Sequence, residues 1–210
     1  MMGLWSWSHR RDPARPKESN SLSAYDSVIG LPTRRLYVVL LGQALKRAQV
    51  TKRKVAVLIC AAEQFRPLSV SSVAPNMTLL VRVQAARIKS ALQPHDVVAR
   101  LDDHTFAVIA DNLESPEEAR SIAEKIQNAI ALPLLIEGQE LLMSCRIGGI
   151  VGPQKGTDAE SLLDAASRAL SNSQTADASI AFVSDPTTPF LSPSSQADTG
   201  RTRHYVGARH

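Results

Sequence analysis

The length, composition and charge of the chain set the first limits on what it can be. It has 210 residues, of which 44% are hydrophobic and 21% are charged, and its formal net charge is +4 at pH 7. This balance is typical of a globular protein and excludes a fibrous or wholly disordered chain. No apolar run approaches the roughly 20 residues that a membrane-spanning helix needs, so we expect no membrane span.

The positive charge is concentrated at the two ends of the chain. Residues 1–20 carry four basic and two acidic residues, residues 185–210 carry three and two, and the segment between them has a net charge of only +1. Aromatic residues make up 4% of the chain, which leaves few rings on which nucleic-acid bases could stack. We therefore expect no nucleic-acid partner, although a net positive charge by itself would favour one.

Both ends of the chain also lack the periodic apolar pattern of a folded segment. We interpret residues 1–24 as a flexible basic arm and residues 186–210 as a disordered tail, with one ordered domain over residues 25–185. Cys60 and Cys145 lie in apolar segments without metal-ligand spacing, which is typical of buried thiols in a reducing compartment. We therefore predict a cytoplasmic protein.

Helical and strand patterns alternate along the ordered part of the chain. The predicted elements, in order, are a helix over Leu36–Gln49, a strand over Val55–Cys60, a helix over Met77–Leu92, strands over Val97–Leu101 and Phe106–Ala110, a helix that begins at Ser115, strands over Pro133–Ile136 and Leu141–Val151, a helix over Asp158–Asn172 and a strand over Ser179–Val183. Four polar residues separate the second and third strands, which indicates a β-hairpin.

Two of these helices carry more detailed signals. Ser115 is suited to cap the third helix, and Glu118 would complete a capping box with it. In the second helix, Leu79, Val83 and Ala86 follow helical spacing, so we predict that they form its buried face.

The order of the elements indicates an α+β fold. Few strands and a central hairpin disfavour a doubly wound parallel sheet. They favour a mainly antiparallel sheet flanked by helices, as in the ferredoxin-like βαββαβ plan.

Several stretches of the ordered part together resemble the GGDEF domain, the diguanylate cyclase module of bacteria. They are the opening DSVIGLPTRR at Asp26–Arg35, the strand residues Val97–Leu101 and Phe106–Ile109, and the helix start Ser115–Ala119. The opening is similar to the family pattern D-x-L-T-G-L-P-N-R-R. The resemblance covers residues 26–185 and implies the nucleotide-cyclase-like GGDEF fold. Arg100 is kept as in the family, but we interpret it as an ordinary strand residue.

By this resemblance, an active domain would join two GTP molecules into cyclic diguanylate with the help of divalent cations. The family signature, GGDEF or GGEEF, falls on Asp102, Asp103, His104, Thr105 and Phe106, so only the phenylalanine is kept. In the family, the two glycines would let the backbone approach a nucleotide, and here both are replaced by aspartates. His104 replaces the metal-binding acid. The resemblance therefore implies a degenerate signature hairpin.

Other positions to which the resemblance assigns metal, base or phosphate contacts are also changed. These lost positions are Ala61 for the metal carboxylate, Ser69 and Thr78 for guanine, and Gln174 for the phosphate-contacting lysine. The product-inhibition site, R-x-x-D in the family, begins here at Gln93 and ends at Asp96. A neutral amide cannot make the charged bidentate contact of an arginine, so the resemblance implies that this site is lost too.

A few polar residues have both a functional and a simpler interpretation. Asp102, Asp103 and His104 could form a new metal site, but three polar residues at a hairpin tip are more often a solvated turn. Glu63 is most simply a surface acid. The main basic cluster, which could face an anionic partner but is explained by a solvated helix end and loop, consists of Lys46, Arg47, Lys52, Arg53 and Lys54.

These expectations favour a protein without catalytic, cofactor-binding or metal-binding residues. We predict a non-catalytic regulatory or protein-interaction module in cyclic-diguanylate signalling, with another signalling protein as its partner and a weak homodimer as a further option. Two alternatives stay open. One is an active diguanylate cyclase that uses GTP and Mg²⁺, and the other is a sensor that binds GTP or cyclic diguanylate without turnover.

Overall fold

Ten helices and strands make up most of the part of the chain that the structure describes. The computed structural model describes residues 23–67, 76–136, 139–154, 156–175 and 178–184. The helices are α1 (Arg34–Thr51), α2 (Met77–Ser90), α3 (Pro116–Ala131) and α4 (Ala159–Thr175). The strands are β1 (Lys54–Pro67), β2 (Val97–Arg100), β3 (Thr105–Leu113), β4 (Leu134–Ile136), β5 (Gln139–Gly152) and β6 (Ile180–Val183). The order is the predicted one. Most of the predicted arm and the whole predicted tail lie outside the described residues.

The six strands form one sheet, which is mainly antiparallel. Five of them lie in the order β2-β3-β1-β5-β4, and every neighbouring pair in this row is antiparallel. The last strand, β6, runs parallel to β5. The helices cover both faces of the sheet, so the predicted α+β fold with a mainly antiparallel sheet is confirmed.

The central strand β1 explains why the chain contains a continuous apolar run. All six side chains of the predicted strand, residues 55–60, are at most 2% exposed. Ala56, Leu58 and Cys60 belong to the hydrophobic cluster that contains α2 and α3 residues, and the alternate residues belong to the cluster that contains α1 and α4 residues. A strand buried on both faces needs apolar residues at every position.

Two strands are longer than the sequence indicates. β1 continues to Pro67 because β5 pairs with it from Val55 onward, across a register shift between Ala62 and Gln64. β3 continues to Leu113, which lies opposite Lys54. In both extensions polar residues interrupt the apolar run, so hydropathy alone ends the strands too early.

The prediction for the buried face of α2 is correct for Val83, which is half-buried and packs against the core, but wrong for Leu79 and Ala86. Leu79 is 40% exposed and Ala86 is also exposed. The residues that α2 buries are Leu80, Val81, Gln84, Ala85 and Ile88. Because the polar residue Gln84 lies in the middle of this buried face, a search for apolar residues at helical spacing does not find it.

The predicted capping box of α3 is also wrong. Ser115 is the N-cap residue, but its side chain makes no capping hydrogen bond. Glu118 reaches one residue further back and accepts a hydrogen bond from the backbone N–H of Glu114 at 3.2 Å. The Ser115 hydroxyl is instead hydrogen-bonded to Glu117, which lowers the pKa of that carboxyl.

One glycine sets the distance between α4 and the sheet. A Cβ atom on Gly148 of β5 would lie 2.1 Å from the backbone nitrogen of Leu170 and 2.4 Å from the carbonyl oxygen of Ala166. Only glycine allows the helix to approach this closely.

Among the described residues, no helix is long and apolar enough to cross a membrane.

Candidate functional site

A cleft of about 1110 Å³ lies at the end of the sheet where β2 meets β3. Its walls come from the loop 26–33, the first turns of α1 and α2, and the connection between β2 and β3. The predicted signature hairpin is at this cleft, because Asp102, Asp103 and His104 line it. We refer to this cavity as the cleft.

The loop 26–33 is folded around the carboxylate of Asp26. Its Oδ1 atom accepts hydrogen bonds from the backbone N–H groups of Val28 and Ile29, both at 2.9 Å. Gly30 follows with a φ of 69°, a left-handed conformation that glycine adopts without strain. Leu31 is 3% exposed and anchors the loop in the core. The opening motif of the sequence is therefore a tight structural turn beside the cleft.

The side chain of Arg100 joins this loop to the hairpin. Its Nη1 atom lies 3.0 Å from Asp26 Oδ2, and its Nη2 atom lies 3.2 Å from Asp103 Oδ1. Its Nε–H donates to the carbonyl oxygen of Asp102 at 3.0 Å, and its backbone N–H donates to the carbonyl oxygen of Pro32 at 2.9 Å. We call this set of contacts the Arg100 tie, and it occupies the guanidinium with protein groups.

Sequence reasoning missed the Arg100 tie. It treated Arg100 as an ordinary strand residue and gave no role to Asp26. The available signal was the presence of both residues within the motifs that carry the family resemblance.

The tip of the β2–β3 hairpin is closed by its own residues. The Oδ1 atom of Asp102 accepts the backbone N–H of His104 at 2.9 Å, and the N–H of Leu101 donates to the carbonyl oxygen of Thr105 at 2.9 Å. Phe106 is 1% exposed, as expected for the core-facing member of the signature. The predicted β-hairpin is confirmed, and one aspartate oxygen at its tip is fixed by the turn itself.

The strand next to the hairpin, β1, places the methyl group of Ala61 beside the start of β3. Ala61 of β1 pairs with Thr105 of β3, and the N–H of Ala62 donates to the carbonyl oxygen of His104 at 3.0 Å. The side chain of Glu63 lies outside the described part. Across the residues whose side chains are described, no group of three or more His, Cys, Asp or Glu residues could hold a metal ion.

The other positions predicted to be lost from the site are only partly described. Thr78 is exposed in the first turn of α2 and lines the cleft. Ser69 lies outside the described residues. Gln174 belongs to α4, but its side chain lies outside the described part.

The predicted product-inhibition residues lie away from the cleft, in the connection between α2 and β2. The carboxylate of Asp96 accepts hydrogen bonds from the N–H of Gln93 at 2.8 Å and from the N–H of Asp111 at 3.0 Å. His95 is 53% exposed, and its Nε2 atom is 3.6 Å from Asp96 Oδ1. Asp96 is only 2% exposed, so its carboxylate fixes this turn and the neighbouring strand.

The basic cluster is partly used within the fold. Arg47 of α1 contacts Asp111 at 2.6 Å, and Arg53 contacts Glu114 at 2.5 Å. Both pairs connect α1 and the residues that follow it to the end of β3. This supports the simpler interpretation for these two arginines.

A family model described as "Diguanylate cyclase, GGDEF domain" matches residues 23–179. The chain belongs to the GGDEF family. The match includes the loop 26–33, the hairpin and all four helices, so the predicted family is confirmed.

Curated relatives from Pseudomonas aeruginosa match most of the chain. Diguanylate cyclase TpbB is 31% identical over 173 residues, which are 80% of this chain and 38% of TpbB. Cyclic di-GMP phosphodiesterase NbdA is 26% identical over 190 residues, which are 82% of this chain and 24% of NbdA. The chain therefore spans about a quarter to two fifths of the length of these relatives.

Solved structures show the same fold. The GGDEF domain of TpbB superposes with a TM-score of 0.66 at 23% identity, covering 75% of this chain and 93% of that one. Diguanylate cyclase SiaD of Pseudomonas aeruginosa, in complex with its activator SiaC, superposes with a TM-score of 0.64 at 15% identity, covering 77% and 62%. At this level of identity the similarity establishes the fold alone.

Proposed function

We propose that this GGDEF domain is non-catalytic and regulates cyclic-diguanylate signalling by binding another signalling protein. The observation that carries the proposal is the state of the hairpin tip. Asp102 is hydrogen-bonded within its own turn, Asp103 faces Arg100, and β1 presents Ala61 beside Thr105. No pair of carboxylates from β1 and the hairpin converges there among the described side chains.

This arrangement is poorly suited to phosphoryl transfer. The reaction that the family resemblance implies depends on divalent cations that neutralise charge on the phosphates. Hard cations such as Mg²⁺ bind several oxygen ligands, and a methyl group supplies none. Two aspartates at the hairpin tip also place negative charge near any triphosphate in the cleft.

The intact hydrophobic core supports a role in which the folded domain is recognised by another protein. Phe106 and the apolar residues of β1 are buried as a folded GGDEF domain requires. SiaD was crystallised with its activator SiaC, so a protein with this fold can be held by a protein partner. We extend that kind of partnership to this chain as part of the proposal.

A turnover and binding assay tests this function. The purified chain is incubated with GTP and either Mg²⁺ or Mn²⁺, with a GGDEF protein that keeps an intact signature as positive control. We expect no cyclic diguanylate above the protein-free blank from this chain. Product formation that depends on protein concentration would refute the proposal.

A sensor that binds a nucleotide without turnover is the second candidate. The observation in its favour is the cleft, whose volume of about 1110 Å³ is sufficient for a nucleotide. Arg35 lines it and forms no ion pair with any described residue. Calorimetry with GTP and with cyclic diguanylate separates the candidates, because micromolar binding without product would favour the sensor.

A further inference from the structure

The first described residues of the chain lie beside the cleft. The hydroxyl of Thr33 donates to the carbonyl oxygens of Ser23 and Ala24, at 2.9 Å and 3.2 Å. The N–H of Thr33 also donates to the carbonyl oxygen of Ala24 at 2.9 Å. Thr33 lines the cleft. Residues 1–22, which we call the arm segment, are therefore tethered at the rim of this cavity.

The arm segment is long enough to cross the cleft. Arg10 and Arg11 precede Ser23 by 13 and 12 positions. An extended chain spans up to about 3.5 Å per residue, so these two arginines have a reach of about 40 Å. A cleft of about 1110 Å³ is far narrower than this. Because the arm segment belongs to the same chain, its effective concentration at the cleft is on the order of millimolar, and even weak contacts hold it there.

The cleft is negatively charged on the side of the Arg100 tie. The charged residues on this side are three aspartates and one arginine, with a net charge of −2: Asp26, Asp102, Asp103 and Arg100. The side chain of Asp103 is 81% exposed, and Asp102 is also exposed. Both use Oδ1 in the contacts described above. A carboxylate has two acceptor oxygens, so Oδ2 of each can accept a further donor.

The opposite side of the cleft is close to neutral. Arg34 lies 2.8 Å from Glu160 Oε2 and 3.8 Å from Asp164 Oδ1, so two acids balance Arg34 and Arg35. The arm segment itself contains four basic and two acidic residues, a net charge of +2. Its cations therefore meet unbalanced negative charge at the hairpin.

Two apolar side chains at the rim of the cleft are exposed. Val28 is 38% exposed and Met77 is 43% exposed, and both line the cleft. Their elements are in contact, because Arg82 of α2 donates to the carbonyl oxygen of Val28 at 3.2 Å. We call Val28 and Met77 the apolar rim. The arm segment contains Trp5 and Trp7, whose large rings gain most from covering such a surface.

We propose that the arm segment folds back over the cleft of its own chain, with Arg10 and Arg11 against the hairpin carboxylates and with its two tryptophans against the apolar rim. The charged contacts and the buried apolar area act together in this arrangement. The arm segment then covers the cleft and competes with any ligand that enters it. A partner that removes the arm segment opens the cleft. This inference goes beyond the proposed function and does not depend on it.

Tryptophan fluorescence of the full chain tests the proposal, because Trp5 and Trp7 are its only tryptophans. The reference is a synthetic peptide of residues 1–22. Acrylamide should quench the full chain at least about twofold less than the peptide, and the emission maximum should lie at shorter wavelength, because the covered rings are shielded from water. The difference should stay constant over about a hundredfold range of protein concentration, as expected for an intramolecular contact.

Three variants should release the arm segment. They are Arg10→Glu together with Arg11→Glu, Asp103→Lys at the hairpin, and Met77→Ser at the apolar rim. Each should raise the quenching at least about halfway to the value of the peptide, because each removes one part of the contact. High salt should raise the quenching as well, since it screens the exposed charges.

Matched controls make the same changes away from the cleft. Glu124→Lys changes an exposed acid of α3, a helix that does not line the cleft among the described residues. Leu135→Ser changes a residue of β4 that is 72% exposed. Both variants should leave the quenching unchanged. Circular dichroism confirms that each variant is folded.

Several results would overturn the inference. They are equal quenching of the full chain and the peptide, and equal effects of Asp103→Lys and Glu124→Lys. Quenching that decreases as the protein concentration rises would identify a second copy as the site at which the arm segment binds. Shielding of the tryptophans that appears only when phosphatidylglycerol vesicles are added would identify a membrane surface instead.

Discussion

Arg100 contacts two carboxylates in very different environments, so the contribution of each contact can be predicted separately. The side chain of Asp26 is 9% exposed and that of Asp103 is 81% exposed, whereas their distances to the guanidinium are similar, at 3.0 Å and 3.2 Å. We expect the buried contact to stabilise the fold and the exposed contact to add little. The perturbations are Arg100→Ala, Asp26→Asn and Asp103→Asn, alone and in pairs.

The expected magnitudes follow from burial. At 3.0 Å and an effective dielectric constant of about 20, the Coulomb attraction is about 5.5 kcal/mol. Desolvation of the two groups offsets more than half of this, which leaves a coupling of about 2 kcal/mol between Arg100 and Asp26. For Asp103 the coupling should stay below about 0.5 kcal/mol, as for most exposed ion pairs. Arg100→Ala alone should cost about 3 kcal/mol, because the hydrogen bond to the Asp102 carbonyl is also lost.

Urea unfolding of the single and double variants measures these couplings as two double-mutant cycles. Asn at position 26 keeps an oxygen that can accept the N–H groups of Val28 and Ile29, so the cycle isolates the charge contact. Equal couplings for the two carboxylates would refute the reasoning from burial. A larger coupling for Asp103 would place the stabilising contact at the hairpin tip and not at the loop.

Three further predictions concern the core, the pH dependence and the cation dependence. Gly148→Ala should destabilise the chain by about 3 kcal/mol because α4 must move away from β5, whereas Gly42→Ala, in open space on α1, should stabilise it by up to about 1 kcal/mol in the same urea assay. Tyr37→Phe should cost about 1 kcal/mol through the lost hydrogen bond to the Val108 carbonyl. Burial raises the pKa of Tyr37, so the folded state keeps this proton when the unfolded state releases it. Stability should therefore fall as pH rises above about 10, and less steeply in the Tyr37→Phe variant. Under the proposed function, millimolar Mg²⁺ should leave the melting temperature unchanged, and a rise of several degrees would contradict a metal-free site.

Much of the fold could be predicted from the sequence because its signals are local or strongly apolar. The run at residues 55–60 identified a strand buried on both faces, and four polar residues between two apolar runs identified the β2–β3 hairpin. Helical spacing of apolar residues in the sequence also predicts a buried stripe on α3, formed by Ala119, Ile122, Ala123, Ile126 and Ile130. Four of these residues are at most 1% exposed, and Ile122 is half-buried against the same core. In each of these cases the residues that determine the element lie within it.

The errors arose where a distant contact determines the structure. Gln84 is fully buried, and its Nε2 atom lies 3.9 Å from the sulfur of Met143 on β5, so a polar residue stands in the inward face of α2. The capping box at Ser115 failed because Glu118 accepts the N–H of Glu114. The Arg100 tie joins Asp26 to Arg100 across 74 positions of the chain, a separation that spacing rules cannot bridge.

In the candidate site too, the features set by neighbouring residues could be predicted, and the contacts between distant residues could not. The sequence located the hairpin and the residues at its tip, because motif and turn coincide there. The sequence could not show which protein groups contact Asp102 and Asp103. Asp102 closes the turn through the N–H of His104, and Asp103 lies beside the guanidinium that also holds Asp26. A hairpin whose added carboxylates have partners within the protein needs no bound cation to keep its shape. These contacts within the protein therefore preserve the shape of the hairpin, which is the property that the proposed binding module requires.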